Sequence, residues 1–349
     1  MSNQTLEVSI IIPVHNGGAS FRRCLASLAE AAPAPAEIIV VADGDTDGSA
    51  QFAEKFAVKI LRTSVAAGPA RARNLGARAA QGDILFFVDA DVVVPPDAIA
   101  QIAEIFHRAP ELAALIGSYD DMPAARNFLS QYKNLLHHYM HQTGNPDAST
   151  FWGACGAMRR EIFLELNGFD ESYLRPCVED IELGYRLKQA GHRIRLCKEL
   201  QVKHLKRWGI ASLLQTDFFQ RALPWTRLIL RRRQIINDLN LKMSSRLSVI
   251  LTYGFIATLA GVWWWPGFLG MAAVFGLLLL FLNNSVYRFF QRKRGFWFAL
   301  GTVPWHWLYF FYSGLAVAIA GAGHLFTHRL KAETIQRSSA SNPAGAAGK

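Results

Sequence analysis

Two carboxylates one residue apart close an apolar run in Gly82-Asp83-Ile84-Leu85-Phe86-Phe87-Val88-Asp89-Ala90-Asp91. Side chains i and i+2 of an extended segment point to the same side, so Asp89 and Asp91 face one ligand. Two like charges that close call for a cation between them. A divalent ion, Mg2+ or Mn2+, that bridges the pair to a diphosphate meets both demands. Asp-x-Asp also occurs in solvated turns, so the meaning of the pair depends on its flanks. A second acidic pair, Glu179-Asp180, opens an amphipathic stretch over 178–187. Acids in a first helical turn also suit the positive end of the helix dipole, which is a purely structural use for them.

Positioning such residues requires strands that end where the acids begin. Val8-Ser9-Ile10-Ile11-Ile12-Pro13-Val14 is β-branched without polar alternation, the pattern of a strand buried on both faces of a parallel sheet. His15-Asn16-Gly17-Gly18 turns the chain into a helix carrying Phe21, Leu25 and Leu28. Residues 37–41 form the next buried strand and end in the acidic turn Asp43-Gly44-Asp45-Thr46-Asp47-Gly48. A helix follows near 50–56, a short strand over 58–62, a helix from Gly68-Pro69 through Ala80, and the strand 84–88 that delivers the Asp pair. Strand and helix alternating in this order predict a doubly wound α/β sheet. Ligands in such sheets sit beyond the carboxyl ends of the strands, where Asn16, Asp43 and Asp89 all fall. Further on, 95–107 and 124–142 read as helices, and 112–119 and a glycine-broken 151–158 as strands.

The chain changes character after residue 240. Long apolar runs over 247–265, 267–282 and 303–326 have no counterpart earlier, so a globular N-terminal part precedes membrane segments. Net charge is +10, and between Lys203 and Arg246 ten Lys or Arg face two Asp, a local +8. Aromatic and aliphatic residues interleave with these cations, which suits a membrane interface and anionic headgroups and not nucleic acid. The alternative is a set of helices packed on the catalytic domain. The expected organisation is an α/β domain over 1–204, basic interfacial helices over 205–245, a transmembrane region over 246–327 and a disordered tail over 328–349. Pro304 breaks the last apolar run into an interfacial piece plus a span, or into a hairpin. The basic run 288–294 reads as a cytoplasmic loop. With no signal-like start, the first domain is expected in the cytoplasm, on a multi-pass protein of the inner membrane. The four cysteines, Cys24, Cys155, Cys177 and Cys197, lack any paired spacing and read as reduced core thiols.

Taken together, these elements resemble the GT-A fold of inverting family 2 glycosyltransferases, over residues 8–204. The opening Val-Ser-Ile-Ile-Ile-Pro-Val-His-Asn is similar to the family's first strand and nucleotide loop, and 41–49 to its Asp-Asp-Gly-Ser turn. Gly68 to Gly76 is similar to its nucleotide-facing helix, Asp89-Ala90-Asp91 to its Asp-x-Asp motif, and Asn167-Gly168-Phe169-Asp170-Glu171 with Glu179-Asp180 to its late acidic motifs. The resemblance implies a UDP- or GDP-sugar donor touching Pro13, His15, Asn16, Asp43, Arg73 and Asp89. It implies a divalent metal on Asp91, Asp89 and His204, Asp180 as general base and Glu179 at the acceptor. His204 could equally be a lone surface histidine, and Arg73 a solvated helix charge beside Arg71.

Two departures matter. Ala42 replaces the first Asp of the turn, which leaves nucleotide identity open. Gln220-Arg221 lies ahead of Trp225 without the Gln-x-x-Arg-Trp spacing of processive members, so transfer of a single sugar is expected. The acceptor is expected to be a hydroxyl on a lipid or lipid-linked molecule. Polyprenyl phosphate, a saccharide, and a non-catalytic nucleotide-binding role are the alternatives. A dinucleotide oxidoreductase is disfavoured because no Gly-x-Gly-x-x-Gly follows the first strand.

Overall fold

The computed structural model describes residues 6–232 and 241–340, with side chains through Phe326. The N-terminal half alternates strand and helix: β1 (Val8–Val14), α1 (Gly18–Ala29), β2 (Glu37–Asp43), α2 (Ser49–Ala53), β3 (Lys59–Thr63), α3 (Pro69–Ala79) and β4 (Ile84–Val88). β1 pairs parallel to β2 and β4, and β2 to β3. Every residue of β4 is buried, as a central strand covered by helices on both faces requires. β1 is likewise buried apart from the half-exposed Pro13.

The second half breaks the pattern. It runs β5 (Val92–Val93), α4 (Ala98–Arg108), β6 (Leu112–Tyr119), α5 (Phe128–Gln142), β7 (Cys155–Arg159), α6 (Arg160–Glu165), α7 (Glu179–Gln189) and β8 (Arg193–His204). The eight strands form one sheet ordered β3-β2-β1-β4-β7-β6-β8-β5. β7 runs antiparallel to both β4 and β6, while β6 and β8 are parallel. The C-terminal ends of β4, β6 and β8 therefore share one edge with the start of β7. Asp89, Tyr119, His204 and the segment 151–154 meet along that edge.

The strand expected over 151–158 starts only at Cys155. Phe151-Trp152-Gly153-Ala154 lies outside the ladder. A Cβ on Gly153 would stand 3.0 Å from the guanidinium carbon of Arg73, so glycine suits the close approach of the backbone to that charge.

Beyond the sheet lie α8 (Ile210–Gln215), a π-helical stretch Thr216–Ala222, α9 (Leu223–Arg232), α10 (Met243–Gly261), α11 (Phe268–Leu282), α12 (Asn284–Arg294) and α13 (Phe296–Ala340). α10 and the 296–326 part of α13 are long and apolar enough to cross a membrane. α11 and α12 meet at a 64° bend and make a third candidate if counted as one span.

Two expectations fail here. Pro304 does not divide the last apolar segment but sits inside α13, because a single proline removes one backbone donor and neighbouring helices support the turn. The basic run 288–294 is helical, not a loop: Phe289 and Phe290 pack with Leu135 and Leu136 of α5, Lys293 pairs with Asp121, and Arg294 Nε donates to Gln131 Oε1 at 2.7 Å. Packing on α5 gives those residues a helical partner that a free loop would lack. The backbone of α13 also continues through 328–340, inside the segment expected as a disordered tail, while 341–349 lie outside the described residues.

The basic belt packs on both sides. Trp225 and Leu228 lie against Val178, Ile181 and Tyr185 of the catalytic domain, while Leu223 lies against Ala316 and Ala320 of α13. Arg233 and Asp238 of the belt fall outside the described residues.

Candidate active site

α3 enters the site through Arg73, whose side chain is 6% exposed. Its Nη2 donates to Asp89 Oδ1 at 2.7 Å, just past β4, and its Nη1 to Glu179 Oε1 at 2.9 Å, joining α3 to α7 across 106 residues of sequence. Glu179 completes its shell by accepting from the Cys177 backbone N–H at 2.8 Å. Breaking a buried ion pair from one side strands the other charge, at a cost of about 3–5 kcal/mol. Arg73→Met is therefore expected to lower thermal stability strongly, and Arg73→Met with Glu179→Gln to recover part of it, Asp89 still lacking its partner. Equal losses in the two variants, read by thermal unfolding, would mean that packing and not charge is what Arg73 supplies.

Asp91 is placed by the shortest strand in the sheet. Val92 pairs with His204 and Val93 with Lys203, and the Leu205 N–H donates to the Asp91 carbonyl at 2.8 Å. This ladder holds His204 Nε2 3.6 Å from Asp91 Oδ2. Burial alone would raise the Asp91 pKa, but the neighbouring His204 side chain and the charge of Lys206 outweigh it and keep the carboxyl below its usual range.

A hard oxygen and an imidazole nitrogen suit a divalent cation, and their separation is within what two ligands at roughly 2.0–2.2 Å can span. No cluster of three His, Cys, Asp or Glu donors occurs among the described residues. A cation of this type is commonly bound by one or two protein ligands and completed by substrate phosphates and water, so two donors fit. Asp89, expected as a further ligand, is engaged by Arg73.

Asp180 stands on α7 beside this group. Its Oδ2 accepts from the Gly153 N–H at 3.1 Å and its Oδ1 from the Ile181 N–H at 2.8 Å. Burial and the neighbouring Glu179 charge raise its pKa to about 6, against the lowering influence of Arg221 and Arg73.

Arg73, Asp89, Asp91, Glu179, Asp180 and His204 line one cavity of about 210 Å3. Its opposite wall is aromatic: Tyr119 stacks on His204 at 4.2 Å, Trp152 meets Tyr119 edge-on at 4.8 Å, and His137 lies 4.9 Å from Trp152. Sequence reasoning missed Tyr119, His137, Trp152 and Arg221. Of these, only Trp152, beside a glycine in a broken strand, carried a local sign.

The remaining expected residues lie outside that lining, at the ends of β1 and β2. His15 Nδ1 is 2.7 Å from the Asp43 carbonyl. Asn16, at φ +52°, accepts from the Thr46 and Asp47 N–H groups at 2.8 and 3.2 Å. Pro13 occupies the last turn of β1, paired with Val41. Both oxygens of Asp43 are taken up by the Thr63 hydroxyl and the N–H groups of Ala67 and Gly68, so it clamps the loop ahead of α3.

Residues 9–166 match the family model described as Glycosyl transferase family 2, and 135–208 the model described as N-terminal domain of galactosyltransferase. The chain is 41% identical over 101 residues to the uncharacterized glycosyltransferase YibD of Escherichia coli, covering 28% of this chain and 29% of that protein. It is 25% identical over 236 residues to the O-antigen chain rhamnosyltransferase RfbN of Salmonella typhimurium, covering 63% and 74%. With the probable glycosyltransferase YdaM of Bacillus subtilis it shares 28% identity over 54% of this chain and 48% of that one, so it spans about half or less of two of these relatives.

Among solved structures, the mannosyltransferase PcManGT of Pyrobaculum calidifontis, crystallised with GDP-Man and Mn2+, superposes with a TM-score of 0.56 over 90% of this chain and 88% of that one at 17% identity. The S. aureus TarS fragment in complex with UDP-GlcNAc superposes with a TM-score of 0.51 over 82% and 81% at 19% identity. These likenesses show the GT-A fold.

Proposed function

The chain carries a glycosyltransferase domain of family 2, and from that premise we propose that it transfers one sugar, with inversion, from a UDP- or GDP-sugar to a hydroxyl of a membrane lipid. The observation that carries this reading is the placement of Asp180 in the same cavity as the Asp91–His204 pair. One group accepts a proton where the other handles a diphosphate. A Mg2+ or Mn2+ held by Asp91 and His204 would supply Lewis-acid neutralisation of the leaving diphosphate.

The protein's own residues do the rest. Asp180 takes the proton of the acceptor hydroxyl as its oxygen bonds to the anomeric carbon, and the bond to the diphosphate breaks with its electron pair leaving on the nucleoside diphosphate. The Gly153 and Ile181 N–H groups hold the Asp180 carboxylate in place. Arg73 fixes Asp89 near the ribose, Glu179 backs Arg73, and the loop clamped by Asp43, with Pro13, His15 and Asn16, shapes the nucleoside end. The Tyr119, His137 and Trp152 wall offers faces on which a sugar ring stacks. Trp225 donates to the Tyr185 hydroxyl at 2.8 Å, which commits its indole to packing on α7 and fits a non-processive enzyme. The basic belt and the apolar helices support a site at a membrane, and we take the glycosyltransferase domain to lie on its cytoplasmic side.

The test is a panel of UDP- and GDP-sugars with Mn2+, offered with lipid extracts or with soluble saccharides. Label in the organic phase is expected. Turnover confined to soluble acceptors would remove the lipid, and turnover with no donor would remove the activity.

The pH dependence follows from Asp180. Its ionised form is the base and its pKa is raised to about 6, so kcat/KM should fall about tenfold per unit as pH drops below 6 and level off above it. Arg221 favours the ionised form, so Arg221→Gln should move that limb to higher pH. A limb near pH 4, or one indifferent to Arg221, would remove Asp180 from the role.

A further inference from the structure

A second cavity adjoins the active-site cavity. Lys133, Arg221, Trp225 and Tyr309 line both the active-site cavity and this second one of about 150 Å3 between α9, α10 and α13. Past those shared residues the second cavity is walled by Ile229, Val249 and Val317, with Arg246 also in its lining. Val317 is 58% exposed on the outer face of α13, a surface that hydrocarbon would cover in a bilayer. The four shared residues thus stand between the Asp180 cavity and the lipid-facing side of the helices.

Charge at the junction narrows the occupant. The acid there is already used: Asp217, 5% exposed, is paired with Lys133 and accepts from the Tyr312 hydroxyl at 2.6 Å. Arg221 makes no close ion pair among the described residues, the charges of Asp180, Asp217 and Glu179 acting on it from farther off, and it lines both cavities. A neutral lipid lying across it would remove water from a guanidinium with no close acceptor, whereas a phosphate offers charge-assisted hydrogen bonds.

We propose that the acceptor is an anionic lipid with a free hydroxyl: a hydrocarbon chain lies in the groove, its phosphate against Arg221, and the hydroxyl beyond the phosphate reaches Asp180. This rests on the lipid-acceptor reading above and gives it a route and a head-group class. Arg221 then sets acceptor specificity, and the groove selects an amphiphile over a soluble sugar.

Photolabelling of the full-length chain in lipid nanodiscs tests it. The probe is phosphatidylglycerol with a diazirine in mid-chain, compared with diacylglycerol carrying the same chain, and adducts are mapped by mass spectrometry. Adducts from phosphatidylglycerol should concentrate on the peptides holding Ile229, Val249 and Val317. Val249→Trp fills the groove and should reduce them about tenfold. Val317→Trp, on the exposed rim, serves the same purpose if the first variant fails to fold. Arg221→Gln should abolish the preference for phosphatidylglycerol over diacylglycerol.

Adducts spread evenly over α10, α11 and α13, or equal groove labelling by both probes in the wild type, would overturn the proposal. Lipid glycosylation that proceeds undiminished in both tryptophan variants would sink the groove alone. Glycosylation of soluble saccharides with no lipid product would sink the lipid reading on which it rests.

Discussion

Asp180→Asn is expected to lower turnover by about 10²–10⁴-fold, the usual contribution of a positioned general base, while nucleoside diphosphate binds about as tightly as to the wild type. The split follows from where the carboxylate acts. It meets the acceptor hydroxyl only as that proton leaves, so it stabilises the transition state and contributes little to donor binding. Asparagine keeps the size of the side chain, and its carbonyl oxygen still accepts from the Gly153 or Ile181 N–H groups. Calorimetric titration with the nucleoside diphosphate, alongside a turnover assay, separates the two effects. Parallel losses in binding and turnover would make Asp180 a structural residue at the head of α7.

Asp91→Asn, or chelation with EDTA, is expected to reduce turnover by at least about 10³-fold, because neutralising a leaving diphosphate is worth several kcal/mol and each 1.4 kcal/mol is tenfold. His204→Ala should lose less, since a carboxylate brings both a ligand and a charge, and added Mn2+ should restore part of the loss. Paramagnetic resonance of Mn2+ titrated into the protein with nucleoside diphosphate gives a readout independent of activity. Tight Mn2+ binding by Asp91→Asn, or wild-type turnover in EDTA, would remove the ion from this pair.

The parallel half of the fold was legible residue by residue. A strand buried on both faces reads as an unbroken β-branched run, and 8–14 and 84–88 are β1 and β4 to the residue. Because strand ends are read from local pattern, Asp89 and Asn16 could be placed just past the carboxyl ends of β4 and β1 from the sequence alone. The order of acidic motifs added Asp180 and Glu179. The sequence also marks the apolar helices, since length and hydropathy are properties of a single segment.

Only the tertiary structure decided what those residues touch. The two-residue β5 has no periodicity to read, yet its pairing with β8 brings Asp91 to His204. Glu179 looked like an acceptor contact and Arg73 like a nucleotide contact, but helix α7 docks so that the two bind each other, with Asp89 on the far side. Arg221 lay in a run of cations where nothing local sets it apart from its neighbours, and it becomes distinct only because packing sets it in the lining of both cavities, beside Asp180. The physical reason is common to all three. Local sequence determines which faces of an element are apolar and where it ends. The partners of a polar side chain depend on which distant elements the packing of those faces brings alongside it, and no pattern within a dozen residues encodes that.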